Sequence, residues 1–174
     1  MNQTAIDHSP ELLQFLEENS IHYTRYDHPA VFTCEEAEAL VPSMEAAKTK
    51  NVFLRDRKGL RHFLVVVGYH KSVDLKRLAP LIGADRLSLG SPERMLKYLG
   101  VTPGSVTILG LFWDRNEPQR AVELIFDLDI NDAKALRCHP MTNTATLSVP
   151  REQLQRFLEI TGHTPRIVDV PANA

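Results

Sequence analysis

Cysteine is nearly absent from this chain, with only Cys34 and Cys138 in 174 residues. They share no C-x-x-C spacing, which argues against a zinc knuckle or a secreted disulfide framework. Both are expected as free thiols, Cys34 as a small buried hydrophobe in a helix. No apolar run approaches the ~18 residues of a membrane helix, and Met1 to Asp7 lacks the basic and apolar regions of a signal peptide. A cytoplasmic protein with no membrane partner is therefore expected. A glycine-rich phosphate loop is also missing, since Gly100-Val101-Thr102-Pro103-Gly104 reads as a helix stop plus turn and not as G-x-G-x-x-G. Without an internal repeat or low-complexity linker, residues 1–174 read as a single domain. The 43% hydrophobic and 24% charged content is ordinary for a globular chain with a core.

What is present is unevenly distributed. Net charge is only -2, yet residues 1–45 hold nine acidic side chains (Asp7, Glu11, Glu17, Glu18, Asp27, Glu35, Glu36, Glu38 and Glu45) against Arg25. Residues 48–77 reverse the balance, with Lys48, Lys50, Arg55, Arg57, Lys58, Arg61, Lys71, Lys76 and Arg77 against Asp56 and Asp74. Such asymmetry permits a local phosphate-binding face on a nearly neutral protein. The alternative is a solvated hairpin rim that balances acidic helices.

Ser9-Pro10-Glu11 carries the start signal of a helix with a Leu12, Leu13, Phe15, Leu16 stripe. An extended piece follows from Ile21 to Tyr26, His28-Pro29 breaks the chain, and Thr33 with Glu36 forms a capping box for a helix ending near Val41-Pro42. Lys50 to Arg55 alternates as a strand, Asp56-Arg57-Lys58-Gly59 turns, and Leu60 to Gly68 returns through the apolar centre Phe63 to Val67. Asp74 caps a helix that Pro80 should kink or end. Ser91-Pro92-Glu93 opens another helix that Gly100 closes. Val106 to Leu111, Ala121 to Phe126 and Thr144 to Val149 read as strands, the first two joined through the polar turn Asp114-Arg115-Asn116-Glu117. Pro150 starts a last helix with Leu154, Phe157 and Leu158 as stripe and Gly162 as stop, before a final strand from Arg166 to Val170. Strands and helices intermix without regular alternation. The expected class is α+β, a mixed, mostly antiparallel sheet covered by helices.

Among residues able to do chemistry, His139-Pro140-Met141-Thr142-Asn143-Thr144-Ala145-Thr146 concentrates polar, uncharged groups. It reads either as a turn entering a Thr-rich strand or as a pocket wall that hydrogen-bonds a small ligand. Cys138 and His139, as neighbours on an extended chain, point to opposite sides and cannot form a nucleophile–base pair. Asp127, Asp129 and Asp132 lack the glycine and distal Glu of a calcium loop, so they read as turn and cap residues, and no metal is expected. Lys50 lies among Thr49 and Asn51 just before an apolar run, where it either projects into water or sits at a cleft rim facing a phosphate or ester carbonyl.

These segments carry a resemblance. Ala47 to Leu54, Leu87 to Arg94, Leu99 to Thr107 and His139 to Thr146 occur in the order and spacing of the YbaK/ProX superfamily. The chain is most similar to free-standing prolyl-tRNA editing proteins that deacylate alanyl-tRNA(Pro), from about Leu12 to Val170. The resemblance implies an aminoacyl-ester hydrolase without a cofactor, acting on the aminoacylated 3′ end of tRNA. Prolyl-tRNA synthetase is a second implied partner. Proline and alanine differ too little in volume for one pocket to admit the first and exclude the second, so a separate site must remove the error. The family's functional lysine falls on Lys50, with Asn51 beside it, and its pocket histidine on His139, which either shapes the side-chain pocket or acts as a general base. Backbone groups from Gly104, Ser105, Val106 and Thr107 are expected to hold the aminoacyl group, with Asn143 in the facing wall. The family's G-x-x-x-P loop here ends in Ile108. Removal of Ser, Thr or Cys, or tRNA binding without hydrolysis, are the alternatives this departure raises.

Overall fold

The structure is a computed structural model, and it describes residues 7–31, 35, 36, 39, 45–115 and 121–174. Thr33, Cys34, Val41 and Pro42 of the expected second helix lie outside the described residues, as do Asn116 and Glu117 of the expected polar turn. Helix α1 (Ser9–Glu18) buries Leu12 and Leu16, but its start differs from expectation. Ser9 is already helical, and the Ser9 amide is received by Asp7 Oδ1 at 2.8 Å. Strand β1 (Thr24–Asp27) follows.

Strands β2 (Thr49–Arg55) and β3 (His62–Gly68) form the expected hairpin. Its turn is held by Asp56 Oδ1, which accepts the amides of Leu60 and Arg61 at 2.9 and 3.1 Å. Asp74 caps helix α2 (Leu75–Leu81) by accepting the Arg77 amide, and Pro80 falls in its last turn, so proline ends the helix. After β4 (Ser88–Leu89), Ser91 caps α3 (Pro92–Leu99) and left-handed Gly100 stops it.

The Val106 to Leu111 segment is not a strand. Thr107 caps a 3-10 turn over Ile108–Gly110 that runs into the short helix α4 (Leu111–Asp114). Leu109 and Leu111 are fully buried, so this apolar run reflects a buried turn and not a ladder. Gly110 lets the turn approach α3, because a Cβ there would lie 3.2 Å from the Leu99 carbonyl oxygen. Asp114, expected in a polar turn, is buried; it accepts the amides of Ala121 and Val122 at 3.1 Å and meets His163 Nε2 at 2.7 Å.

The chain continues through β5 (Val122–Asp127), β6 (Ala135–Cys138), β7 (Ala145–Pro150), α5 (Arg151–Thr161) and β8 (Arg166–Val168). Strand β6 was not expected. The strands make two sheets in place of one, β1-β7-β6 and β4-β2-β3-β5-β8. Only the β3–β5 and β5–β8 pairings are parallel, so the mixed, mostly antiparallel character holds. Two apolar clusters cover opposite faces of the larger sheet. Phe53, Leu64, Val66, Leu124 and Phe126 face α1, α5 and the smaller sheet, whereas Leu54, Phe63, Val65, Val67 and Ile125 face α2. Burial on both faces explains why the centre of β3 is apolar without alternation.

Candidate functional site

The two sheets meet at one seam. The Ala47 amide donates to the Ala135 carbonyl at 2.9 Å, the Arg137 amide donates to the Ala47 carbonyl at 3.0 Å, and Thr49 Oγ1 donates to the Arg137 carbonyl at 3.1 Å. This seam sets the start of β2, with Lys50 and Asn51, beside the end of β6, which leads into His139. Strand alternation sends Lys50 the same way as Val52 and Leu54, and Asn51 the same way as Thr49 and Phe53. The two neighbours therefore leave β2 on opposite faces. Lys50 is half-buried and has no ion-pair or hydrogen-bond partner among the described residues; nothing joins it directly to His139. Asn51 Oδ1 is buried and accepts no hydrogen bond. A buried acceptor left without a donor costs about 1–3 kcal/mol, so Asn51 Oδ1 is open to a donor from a water or a ligand.

The polar segment after β6 holds no nucleophile–base dyad. Cys138 is buried in the core, and burial pushes its thiol up to about 12, which removes it as a nucleophile at neutral pH. His139 leaves the other side of the strand, with Nδ1 3.4 Å from the Ala145 carbonyl oxygen. A carbonyl only accepts, so Nδ1 carries the proton and Nε2 offers its lone pair. Burial lowers the His139 pKa and nearby His28 lowers it further, against the Ala145 contact, so the ring is neutral at pH 7. His28 comes to the same segment, though the sequence marked it only as a chain break. Its Nε2 lies 2.9 Å from Thr146 Oγ1 and its Nδ1 2.8 Å from the Pro29 carbonyl oxygen. The β1–β7 register, which pairs Asp27 with Ala145, brings it there. Asn143 is half-buried, and its carbonyl accepts the Val31 amide at 3.1 Å.

The loop after α3 is placed through Met141. This residue is buried with φ 63, a left-handed conformation costly for a non-glycine residue, and its Cε would lie 3.1 Å from a Cβ on Gly100. Beyond Gly100, Gly104 is exposed with φ 91, the Ser105 amide donates to the Thr102 carbonyl at 3.1 Å, and Val106 packs partly against the core. Thr107 is fully buried and spends its hydroxyl on the fold, since Oγ1 accepts the Leu109 amide. Ile108 is also buried in the core, so the turn is held by a cap and an apolar anchor. Gly100→Ala is expected to strain this junction. The residue sits at φ 66 and the new methyl would meet Trp113 at 2.8 Å, so a loss of about 2 kcal/mol follows, measurable by urea denaturation.

The acidic residues hold an internal cation. Asp127, Asp129 and Asp169 approach one another closely, while Asp132 stands apart and exposed. Lys71 Nζ lies 2.8 Å from a carboxylate oxygen of both Asp127 and Asp129 and donates to the Val170 carbonyl at 2.9 Å. Lys71 thus supplies a counter-charge to two of the three carboxylates.

No helix among the described residues is long and apolar enough to cross a membrane. The Aminoacyl-tRNA editing domain profile matches residues 28–157. The prolyl-tRNA editing protein ProX of Acetoanaerobium sticklandii is 33% identical over 95% of this chain and 99% of its own length. The prolyl-tRNA synthetase associated domain-containing protein 1 of Danio rerio is 39% identical, covering 94% of this chain and 88% of its own. A solved structure named as a candidate trans-editing enzyme for prolyl tRNA synthetase superposes with a TM-score of 0.70 at 20% identity, covering 97% of this chain and 100% of that one. The fold, the placement of the matched segments and the match over most of the length agree: the chain belongs to the aminoacyl-tRNA editing domain family.

Proposed function

We propose that this protein is a trans-editing hydrolase that cleaves the ester of alanine mischarged to tRNA(Pro). The observation that carries this reading is the partnerless, buried Oδ1 of Asn51 on the strand that holds Lys50. The α-ammonium group of an aminoacyl ester, or a ribose hydroxyl, is the donor that this acceptor lacks. The 3′ end then straddles the start of β2: Lys50, on the face opposite Asn51, supplies a point charge for the ester carbonyl or the terminal phosphate, and uncharged His139 and Asn143 bound a space suited to a methyl side chain. An aminoacyl ester beside a ribose hydroxyl is already activated, so a positioned water and charge stabilisation from backbone amides around Gly104 to Thr107 suffice without a triad.

A hydrolytic role fits better than tRNA binding alone. Thr107 and Ile108 anchor the loop that lacks the family's proline, so its backbone keeps a defined geometry. Purified protein incubated with Ala-, Ser-, Thr-, Cys- and Pro-tRNA is expected to release alanine fastest and to spare proline. Faster release of serine, threonine or cysteine would reassign the substrate. Binding of tRNA without release of any amino acid at high enzyme concentration would reduce the protein to a binding module.

A further inference from the structure

The far end of the β2–β3 hairpin gathers positive charge that the fold does not neutralise. Arg94 on α3 donates through Nη1 to the Gly59 carbonyl at 3.1 Å and meets His62 Nε2 at 2.8 Å. Both acceptors are neutral, which is unusual for a half-buried guanidinium held in one geometry. His62 is itself buried and stacks on Tyr98 with ring centroids 3.9 Å apart. Burial first, then the charges of Arg94, Lys97 and Arg55, push its pKa down to about 4 against the opposing pull of Asp56. His62 therefore stays an acceptor and fixes the direction of Arg94 without cancelling its charge.

Arg55 converges on the same place. Arg94 Nη2 and Arg55 Nη1 lie 2.7 and 3.3 Å from the position a Cβ on Gly59 would take, and glycine leaves that approach open. Among the described residues no carboxylate pairs with Arg55, Lys58, Arg94 or Lys97. The nearby acids are otherwise engaged or outward: Asp56 receives the turn amides, Asp85 pairs with Arg57, and Glu93 is exposed. Two guanidinium groups turned toward one point repel each other unless an anion joins them, and planar forks of this kind match phosphate oxygens.

We propose that Arg55 and Arg94, flanked by Lys97 and Lys58, form a second contact site that takes a backbone phosphodiester of the RNA whose 3′ end reaches Lys50. This inference rests on the reading of the substrate as a charged tRNA. Five residues of β2 separate Arg55 from Lys50, about 17 Å along the strand. The site would thus meet the tRNA several nucleotides from the reacting ester and set affinity rather than chemistry.

The test is the binding of uncharged tRNA(Pro) transcript as a function of NaCl concentration. The Arg55→Gln/Arg94→Gln pair is expected to weaken binding at least about tenfold and to make the slope of log K against log salt shallower by about 0.8, from one lost phosphate contact. KM for charged tRNA should rise with kcat retained, and hydrolysis of 3′-aminoacyl-adenosine should be unchanged. Because Arg94 also ties the turn to α3, Arg55→Gln alone, which removes no bond of the fold, is expected to weaken binding and to lower the slope by about 0.4, half the effect of the pair. Lys76→Gln/Arg77→Gln on α2 serves as the charge-matched control. Wild-type affinity and slope in the Arg55 and Arg94 variants would overturn the site, as would an equal loss in the control. Unchanged tRNA binding with lost binding of prolyl-tRNA synthetase would overturn it in favour of a protein partner. Wild-type tRNA binding through these arginines without any deacylation would leave the site standing and remove the proposed activity.

Discussion

Lys50→Ala is expected to slow deacylation of alanyl-tRNA(Pro) by about a hundredfold to a thousandfold, the usual effect of deleting one group that stabilises charge in a transition state. The side chain has no partner within the described fold, so its removal costs no salt bridge and uncovers no buried charge. Stability should stay within about 0.5 kcal/mol of wild type, the range of a surface substitution. Single-turnover rates and thermal melts on the same preparations separate the two quantities. Lys50→Arg is expected to recover only part of the rate, because a planar fork does not reproduce a compact ammonium. Equal rates for wild type and Lys50→Ala would take the lysine out of the chemistry.

Lys71→Ala is expected to be the most destabilising of the charge-removing substitutions. The Asp127 side chain is 0% exposed, and Lys71 Nζ sits 2.8 Å from its Oδ2. The ammonium lies off the hydrogen-bond direction of that oxygen, so the contact is first an ion pair. Asp127 Oδ1 is already committed, accepting the Val170 amide at 3.1 Å. Losing the lysine leaves a buried carboxylate without its counter-charge, a change that costs about 3 kcal/mol or more. In a domain of this size that corresponds to a melting point roughly 10 °C lower. Asp127→Asn in the same background should restore part of the loss, since a neutral amide needs no cation. The pair also fixes a pH dependence. Despite desolvation, which opposes it, bonding to Asp127 and Asp129 raises the Lys71 pKa above the ordinary 10.5. The stabilisation is complete below the unfolded value and is lost as pH rises through the folded one, so wild type, but not Lys71→Ala, should lose this contribution above about pH 10.5.

The sequence made some of this architecture legible and hid the rest for physical reasons. The β2–β3 hairpin could be read because alternation and a turn containing Gly59 are local, and the helix start at Pro92 rests on a similarly local signal. The apolar stretch from Val106 to Leu111 could not be resolved, since a buried turn and a buried strand share the same composition. Strand β6 went unseen because it exists through pairing with β7, where Cys138 faces Leu147, and because Arg137 in its middle resembles a loop residue. Asp114 resembled a solvated turn residue, whereas two amides and His163 converge on it from distant positions. The placement of Lys50 and Asn51 on a strand was legible from the local pattern. The approach of His28 to Thr146 was not, as it spans 118 positions and depends wholly on register.

The seam at Ala47 has a dynamic consequence. Among the described residues it is the one backbone bridge joining the smaller sheet to the larger, and the segments carrying Lys50 and His139 leave it on either side. Any fluctuation that parts the sheets there changes the distance between those segments while leaving each sheet's own ladder intact. The amide protons of Ala47 and Arg137 should then exchange with solvent as a pair, faster than those at the centre of β3. Their protection is a direct gauge of how often the free protein holds these two segments together.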